Sequence, residues 1–299
     1  MTEVFEVHCP ERAALDVVFL HGLDGDARKS WTSGSDDLFW PQWLAEEVPD
    51  TAVWTVGYDA WSSGWRGQSM SLPDRAINLL ALLQNHAIGE RPLCFITHSM
   101  GGLLVKEMLL HASEGRDDYA VFAEAIEGVA FLATPHTGSG VTKAVDSLGH
   151  LYRGTAAVED LKRNGPHLRQ LNDRYRDWVN EVKIRNLVFF ETRLTNGVRV
   201  VDEASANPGI AGVRPIPVDA DHVTICKPST RRDLVYGQVK RFIANVNSAE
   251  APGVEVAARE AGEHLQAGGV SIVAAGERSV AVGTNAGIIS AGDDATNNL

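Results

Sequence analysis

The sequence predicts an α/β domain, a mostly parallel sheet flanked by helices, followed by a low-complexity, β-prone C-terminal tail. Three observations predict it. Short β-branched apolar runs of the buried parallel-strand type recur through residues 15–246 and alternate with stretches of helical period, with few hairpin signals between them. The runs end in polar turns carrying His, Ser, Glu or Asp, and such carboxyl ends are where parallel sheets bind ligands. One run, Pro92-Leu93-Cys94-Phe95-Ile96-Thr97-His98-Ser99-Met100-Gly101-Gly102, passes from strand through a tight turn into the helix formers Leu103-Leu104-Val105-Lys106 without a spacer.

Length and composition bound the problem. The 299 residues suffice for one large domain plus an appendage, and 44% hydrophobic with 22% charged residues is ordinary for a globular protein. A net charge of −12 without a basic cluster argues against nucleic-acid binding, which needs Lys and Arg to displace counterions. Cys9, Cys94 and Cys226 are scattered and fit neither a disulfide framework nor a zinc site, so a reducing, cytoplasmic location is expected. The first residues lack the basic start and apolar run of a signal peptide, and no apolar run is long enough to span a membrane.

Taken in order, residues 15–20 (LDVVFL) are the first expected strand, ending in His21-Gly22-Leu23-Asp24-Gly25-Asp26. A glycine-rich turn after a strand raises nucleotide binding, but the GxxxxGK[ST] and GxGxxG spacings are absent. The turn reads better as a loop whose Leu23 N–H faces a developing oxyanion. Residues 31–65 are dense in aromatics, read chiefly as core and loop packing, with a minority lining an acyl groove. Residues 52–56 form the next strand, closed by Gly57-Tyr58-Asp59, and residues 75–84 form a helix with Ala76, Leu79, Leu80 and Leu83 on one face. Residues 128–133 are a strand ending in Thr134-Pro135-His136-Thr137-Gly138. Residues 141–183 read as helices with charged faces, for example 161–182, and both a mobile lid and a plain helical cap stay open for them. Residues 187–190 and 214–218 are the last strands, running into Glu191-Thr192-Arg193 and Asp219-Ala220-Asp221-His222, and a helix over 233–246 closes the domain.

Ser99 sits where a nucleophile elbow would hold it, at the apex of a strand–turn–helix. Thr97 replaces the first glycine of G-x-S-x-G and Gly101 keeps the second, so the local pattern also fits a serine that merely caps the helix. The rest of the chain favours the nucleophile. A serine needs a base within hydrogen-bond reach, itself oriented by a carboxylate, and the expected chain order is Ser, acid, His. His222, in the loop after the last strand, is the candidate base. For the acid, Glu191 at the end of the penultimate strand and Asp202 in the following loop both stay open, while Asp219 and Asp221 lie too near His222 along the chain to come first. Leu23 and Met100 are the candidate oxyanion donors through their backbone N–H groups. His21 and His136 read as site-shaping histidines, and His98 points elsewhere. No H-E-x-x-H or H-x-x-E-H spacing supports a metal, and acyl transfer by this constellation needs no cofactor.

Six blocks carry a resemblance: Val17-Val18-Phe19-Leu20-His21-Gly22-Leu23, Gly57-Tyr58-Asp59-Ala60, Thr97-His98-Ser99-Met100-Gly101-Gly102, Ala133-Thr134-Pro135-His136-Thr137-Gly138, Phe190-Glu191-Thr192, and Asp221-His222-Val223-Thr224-Ile225-Cys226-Lys227-Pro228. In this order they resemble the lipase-like α/β-hydrolases related to the serine-active-site-containing proteins of phospholipid remodelling, over about residues 15–245. The resemblance implies an α/β-hydrolase fold, esterase or phospholipase activity on acyl-ester or phospholipid substrates with contact to a membrane surface, and often a defence role beside nucleotide-binding STAND (NLR-type) receptors. The chain departs from relatives at Ala204, where they often carry a carboxylate or small polar residue, which leaves the acid open.

Composition changes beyond residue 246. The expected organisation is a hydrolase domain over 1–246, a linker or spacer over 247–268, and a glycine-punctuated β-prone segment over 269–299. Its runs at 270–274, 279–282 and 287–290 are too short to bury a core alone. Asn285, Gly287, Ser290, Gly292 and Asn297 fit a spacing that resembles bacterial amyloid signalling motifs, which implies homo-oligomers or fibrils templated by a receptor's matching motif. A flexible low-complexity tail is the alternative. Three functions follow: an acyl-ester hydrolase and defence effector switched on by assembly, an inert α/β-hydrolase scaffold for assembly, and a housekeeping esterase or thioesterase.

Overall fold

Successive residues of a strand face opposite sides of a sheet, so a fully apolar run such as LDVVFL demands cover on both faces. The structure, a computed structural model, describes residues 2–58, 70–115, 118–136, 144, 146–149, 165–247, 281–282 and 288–289. The chain divides into two units, Met1–Ser248 and Ala249–Leu299. In the first, β1 (Glu3–His8), β2 (Leu15–Leu20), β3 (Thr51–Gly57), β4 (Leu93–His98), β5 (Ile126–Leu132), β6 (Arg185–Glu191) and β7 (Ile216–Val218) form one sheet in the order β1-β3-β2-β4-β5-β6-β7. The pairing of β1 with β3 is antiparallel and all the others are parallel. The mostly parallel sheet is as expected. Strand β1 is an addition the sequence does not signal, because on this edge only Val4 is buried and no apolar run forms.

The cover comes from α1 (Trp40–Glu47), α2 (Leu72–Gln84), α3 (Met100–Glu114), α4 (Ala120–Ala125), α5 (Gly165–Val182), α6 (Glu203–Ala206) and α7 (Leu234–Asn247). Val18, Leu20 and Phe95 point into a core shared with Leu79 and Leu83 of α2, Leu104 and Met108 of α3, and Leu168 and Tyr175 of α5. Val17, Phe19 and Ile96 point into the opposite core, with Trp40 and Leu44 of α1 and Val239 and Ile243 of α7. The aromatics of residues 31–43 are packing residues: Trp31 and Trp40 are fully buried and meet Phe19 edge-on at 5.1 and 4.8 Å. Such pairs contribute about 0.5–1.5 kcal/mol each beyond their burial. Trp61 and Trp65 lie outside the described residues.

Helix α2 begins three residues before its periodic pattern because Ser71 caps it. The Ser71 hydroxyl accepts from Asp74 N at 3.3 Å and donates to the Asp74 carboxylate at 2.6 Å, an arrangement worth about 1 kcal/mol. In the helical insertion, α5 is built into the core rather than laid over it: Leu168, Leu171, Tyr175 and Val179 recur at helical spacing and are buried. Its polar side reaches α3 through His167–Glu107 at 2.9 Å and through Arg174–Glu114. Most of the insertion before α5 lies outside the described residues, as do the 247–268 spacer beyond Asn247 and most of the 269–299 tail. Within the tail unit, β8 (Ala281–Val282) pairs antiparallel with β9 (Ile288–Ile289), two of the runs read as β-prone.

Candidate active site

The carboxyl ends of β2, β4, β5 and β6 share one edge of the sheet, and the polar blocks of the sequence meet there. Between β4 and α3 the chain turns so sharply that Ser99 takes φ 51°, ψ −120°, a conformation that costs a non-glycine residue about 1–3 kcal/mol. The turn is held at both ends of the residue. Ser99 N donates to Leu132 O at 2.9 Å, and the Thr134 hydroxyl donates to Ser99 O at 3.0 Å. The Ser99 side chain makes no capping bond to α3, so the capping alternative gives way. Its Oγ lies 2.9 Å from His222 Nε2 instead.

Two glycines let the loop after β2 close on this turn. A Cβ on Gly22 would sit 2.8 Å from Ser99 Cβ, and one on Gly101 would sit 2.5 Å from the carbonyl oxygens of Leu20 and His21. Close approach packs the loop after β2, which runs on into Leu23, against the turn that opens α3 at Met100, where a helix leaves N–H groups without intrahelical partners. The His21 ring is not directed at substrate chemistry. It donates from Nδ1 to Gly22 O at 2.8 Å and stacks on Tyr58 at 4.3 Å, and burial lowers its pKa to about 4. Tyr58 completes the clasp by donating its hydroxyl to His21 O at 2.5 Å.

His222 is fixed through its backbone. Its N–H donates to Thr195 Oγ1 at 2.9 Å, and its carbonyl accepts from His98 Nε2 at 2.8 Å. Burial holds the His98 pKa well below the ordinary value, with the nearby His222 adding to the effect, so the ring donates while neutral. On the other side of the imidazole, Nδ1 lies 3.3 Å from Glu191 Oε1, both residues being almost completely buried. That contact is within ion-pair range but lacks hydrogen-bond geometry, and Nδ1 and Glu191 Oε2 have no hydrogen-bond partner among the described residues. Glu191 Oε1 also accepts from Val201 N at 2.6 Å.

The other carboxylates have different occupations. Asp202 Oδ1 accepts from Ser205 N at 2.8 Å and Ser205 Oγ at 2.6 Å as the N-cap of α6. Asp219 pairs with Arg193, and Asp221 accepts from the N–H groups of Val223 and Thr224. His136, read as site-shaping, has its Nδ1 2.5 Å from Lys106 Nζ. The geometry thus joins Ser99, His222 and Glu191. The parts played by His98 and Tyr58 carry no signal in a local pattern, since each depends on a partner far along the chain, and the Val201 N–H carries none because it is a backbone group. Among the described residues no group of three His, Cys, Asp or Glu side chains is arranged to hold a metal, and no helix is long and apolar enough to cross a membrane. A cavity of about 660 Å³ beside the His222 loop is lined by Thr32, Arg193, Thr224, Lys227 and Ser229 among others, and Ser99, His222 and Glu191 are not among its lining residues.

Chemically, a serine hydroxyl on an imidazole, the imidazole on a carboxylate, and backbone N–H groups at a helix start suit nucleophilic attack on an acyl carbonyl. Comparison with known proteins agrees. The family model described as “Putative serine esterase (DUF676)” matches residues 13–179. Protein SERAC1 of Mus musculus is 33% identical over 253 residues and that of Homo sapiens 32% over 253 residues, each match covering 76% of this chain. The chain spans 38% of the length of these relatives. Among solved structures, Bacillus licheniformis lipase BlEst2 in mature form aligns with a TM-score of 0.57 at 18% identity, over 80% of this chain and 98% of that one. A structure from work on carboxylesterases of the thaumarchaeon Nitrososphaera gargenis aligns at 0.51 with 13% identity, over 83% and 96%. At such identities the likeness is one of fold, the α/β-hydrolase fold.

Proposed function

We propose that this chain, which belongs to the DUF676 serine esterase family, hydrolyses carboxylic esters with Ser99 as nucleophile, His222 as general base and Glu191 as the carboxylate that orients it. The observation that carries the reading is the 2.9 Å contact of Ser99 Oγ with His222 Nε2 at a turn strained to φ 51°. In the reaction, His222 Nε2 takes the Ser99 proton, the Ser99 oxygen attacks the acyl carbonyl, and Glu191 faces the Nδ1–H of the imidazolium. The N–H groups of Leu23 and Met100 stabilise the tetrahedral oxyanion, a donor pair whose single loss typically costs about 10²–10³ in turnover. His222 returns its proton to the leaving alcohol, and water, deprotonated by the same imidazole, releases the acid.

The substrate class within this reading is lipid acyl esters, phospholipids included, which rests on the family resemblance. The tail adds regulation. Its spacing of Asn285, Gly287, Ser290, Gly292 and Asn297 supports assembly through 269–299 as the switch, with a STAND-type receptor as the templating partner and defence in the cytoplasm as the setting. The test compares wild type, Ser99→Ala and a chain ending at residue 246 in p-nitrophenyl ester hydrolysis and liposome leakage. Ser99→Ala should abolish both, and truncation should lower leakage while sparing ester turnover. Ester hydrolysis that survives Ser99→Ala would falsify the nucleophile, and leakage indifferent to truncation would remove assembly as the switch.

A further inference from the structure

One buried titratable cluster takes no part in this mechanism. Lys106 lies on α3 seven residues after Ser99, close to two helical turns, and is fully buried. Its Nζ lies 2.5 Å from His136 Nδ1 and 2.7 Å from Asn172 Oδ1, with the rings of Phe131 and Tyr175 at 5.4 and 5.1 Å. Burial pushes the amine well below its ordinary pKa. An aliphatic side chain among Phe131, Tyr175 and the leucines of α3 and α5 would fill the space without desolvating an amine. What the amine adds is direction, because hydrogen bonds fix the relative positions of segments that packing alone leaves free to slide.

Both partners of the amine lead to the same place. His136 N donates to Ser205 O at 2.6 Å, and Asn172 Nδ2 donates to Pro208 O at 3.2 Å. The segment they hold begins at Asp202, the N-cap of α6, directly after Val201, whose N–H meets Glu191 Oε1 at 2.6 Å. We infer that Lys106 is a positioning residue for the acid: through His136 and Asn172 it grips segment 201–208 at two points, and so fixes the Val201 N–H that aims the Glu191 carboxylate at His222. The inference rests on the esterase reading of Ser99, His222 and Glu191, and extends it to a residue on the nucleophile's own helix. Helix α3 then carries Ser99 at its start and the anchor of the acid segment two turns on, so one rigid element sets the spacing of both ends of the triad.

Lys106→Met keeps the unbranched stem of the side chain and removes the amine. With p-nitrophenyl butyrate, KM should stay within about twofold of wild type while kcat falls about 10- to 100-fold, the signature of misaligned chemistry rather than lost binding. The second reading is independent of turnover. The low-field proton resonance of Nδ1–H in protonated His222, where the added charge draws the 3.3 Å contact with Glu191 into a hydrogen bond, is identified by its disappearance in His222→Gln; it should be present in wild type and broadened or lost in Lys106→Met at unchanged near-UV circular dichroism. A folded Lys106→Met with kcat within about twofold of wild type, or with that resonance intact, overturns the inference, as does a wild type without the resonance. Should Lys106→Met fail to fold, Asn172→Ala, which cuts one arm and leaves the amine on His136, decides by the same two readings. Ester turnover persisting in Ser99→Ala overturns the esterase reading separately, and the resonance still tests the grip of Lys106 on the acid segment.

Discussion

In the proposed triad the nucleophile side is fixed by the backbone of a strained turn, and the acid side by a side chain and the loop it meets. Around Ser99, a residue strained to φ 51° has its N–H on Leu132 O and its carbonyl under the Thr134 hydroxyl, and Gly22 and Gly101 let the His21 loop press against it. Around Glu191, a side chain at the end of β6 meets Val201 N at 2.6 Å and His222 Nδ1 at only 3.3 Å, without hydrogen-bond geometry. Backbone strain cannot relax by a rotamer change, whereas a carboxylate can swing. The proposed nucleophile is therefore fixed by backbone, and the proposed acid by whatever fixes a loop. Substitutions on the two sides should fail in different ways.

The largest expected effect lies on the acid side. Glu191→Gln preserves shape but lets the amide favour the wrong imidazole tautomer, so kcat should fall about 10³- to 10⁴-fold, with KM little changed. Asp202→Asn should leave kcat within about threefold and cost at most about 1 kcal/mol of stability, since an asparagine still caps α6. The pair of kcat values, measured on one ester, decides between the two carboxylates that the sequence leaves open. A large loss in Asp202→Asn with little in Glu191→Gln would reverse the assignment.

On the nucleophile side the corresponding break is Gly22→Ala. The added Cβ would lie 2.8 Å from Ser99 Cβ and 3.1 Å from His98 O, both in a turn that cannot give way. The loop must move instead, and the Leu23 N–H with it, so kcat should fall about 10²- to 10³-fold. Folding should survive, because the clash is at one loop. A Gly22→Ala enzyme of normal kcat would mean that the loop stands off the serine in solution and that the two sides are equally pliant.

This contrast also explains what the sequence makes legible. The strands β2 to β6 are readable because both faces of each are buried, which forces unbroken apolar runs. Ser99 and the His21-Gly22 loop are readable because each follows an apolar strand in one short run of polar residues and glycines, and His222 because the proposed base is expected in a loop after the last strand. Edge strand β1 gives no such signal, with Val4 its one buried residue. Helix α1 hides among the aromatics of residues 31–43, whose burial is obvious but whose period is short. Glu191 and Asp202 are hard to separate because the difference between them is made by Val201 N, a backbone group that meets Glu191, and by Ser205, the residue that Asp202 caps. Lys106 is least legible: within Leu104-Val105-Lys106-Glu107 it reads as a solvated helix residue, and only the arrival of α5 and of the segment after β5 buries it.

The histidines sharpen the comparison through pH. His21 stays neutral in the folded state down to about pH 4, whereas in the unfolded chain it takes up a proton near 6.5. Between those values the unfolded state binds more protons, so stability is fully present above about pH 6.5 and is lost as pH falls toward 4, by about 3 kcal/mol for this residue. Buried His98 and His136 act with the same sign. Urea midpoints followed from pH 7.5 to 4.5 should fall steadily, and His21→Gln should flatten the slope even though it lowers the midpoint at pH 7.5. A slope unchanged in His21→Gln would place the acid sensitivity on other buried groups such as His98 and His136.

The smallest effect is expected from Tyr58→Phe, and it separates strain from clasping within the nucleophile side. The ring stack on His21, at 4.3 Å and 7° between planes, survives the change, and only the hydroxyl bond to His21 O at 2.5 Å is removed. A buried carbonyl left with one fewer donor costs about 1–2 kcal/mol, which should appear as a lower melting temperature. The His21 peptide sits one residue before Gly22, so its loosening reaches Leu23 N only by a small rotation, and kcat should fall by no more than about fivefold. If the turn at Ser99 is fixed by its own backbone and by the two glycines, that is the whole effect. A loss in Tyr58→Phe as large as that in Gly22→Ala would mean instead that the loop is held from behind by Tyr58, and that the nucleophile side depends on a side-chain contact much as the acid side does.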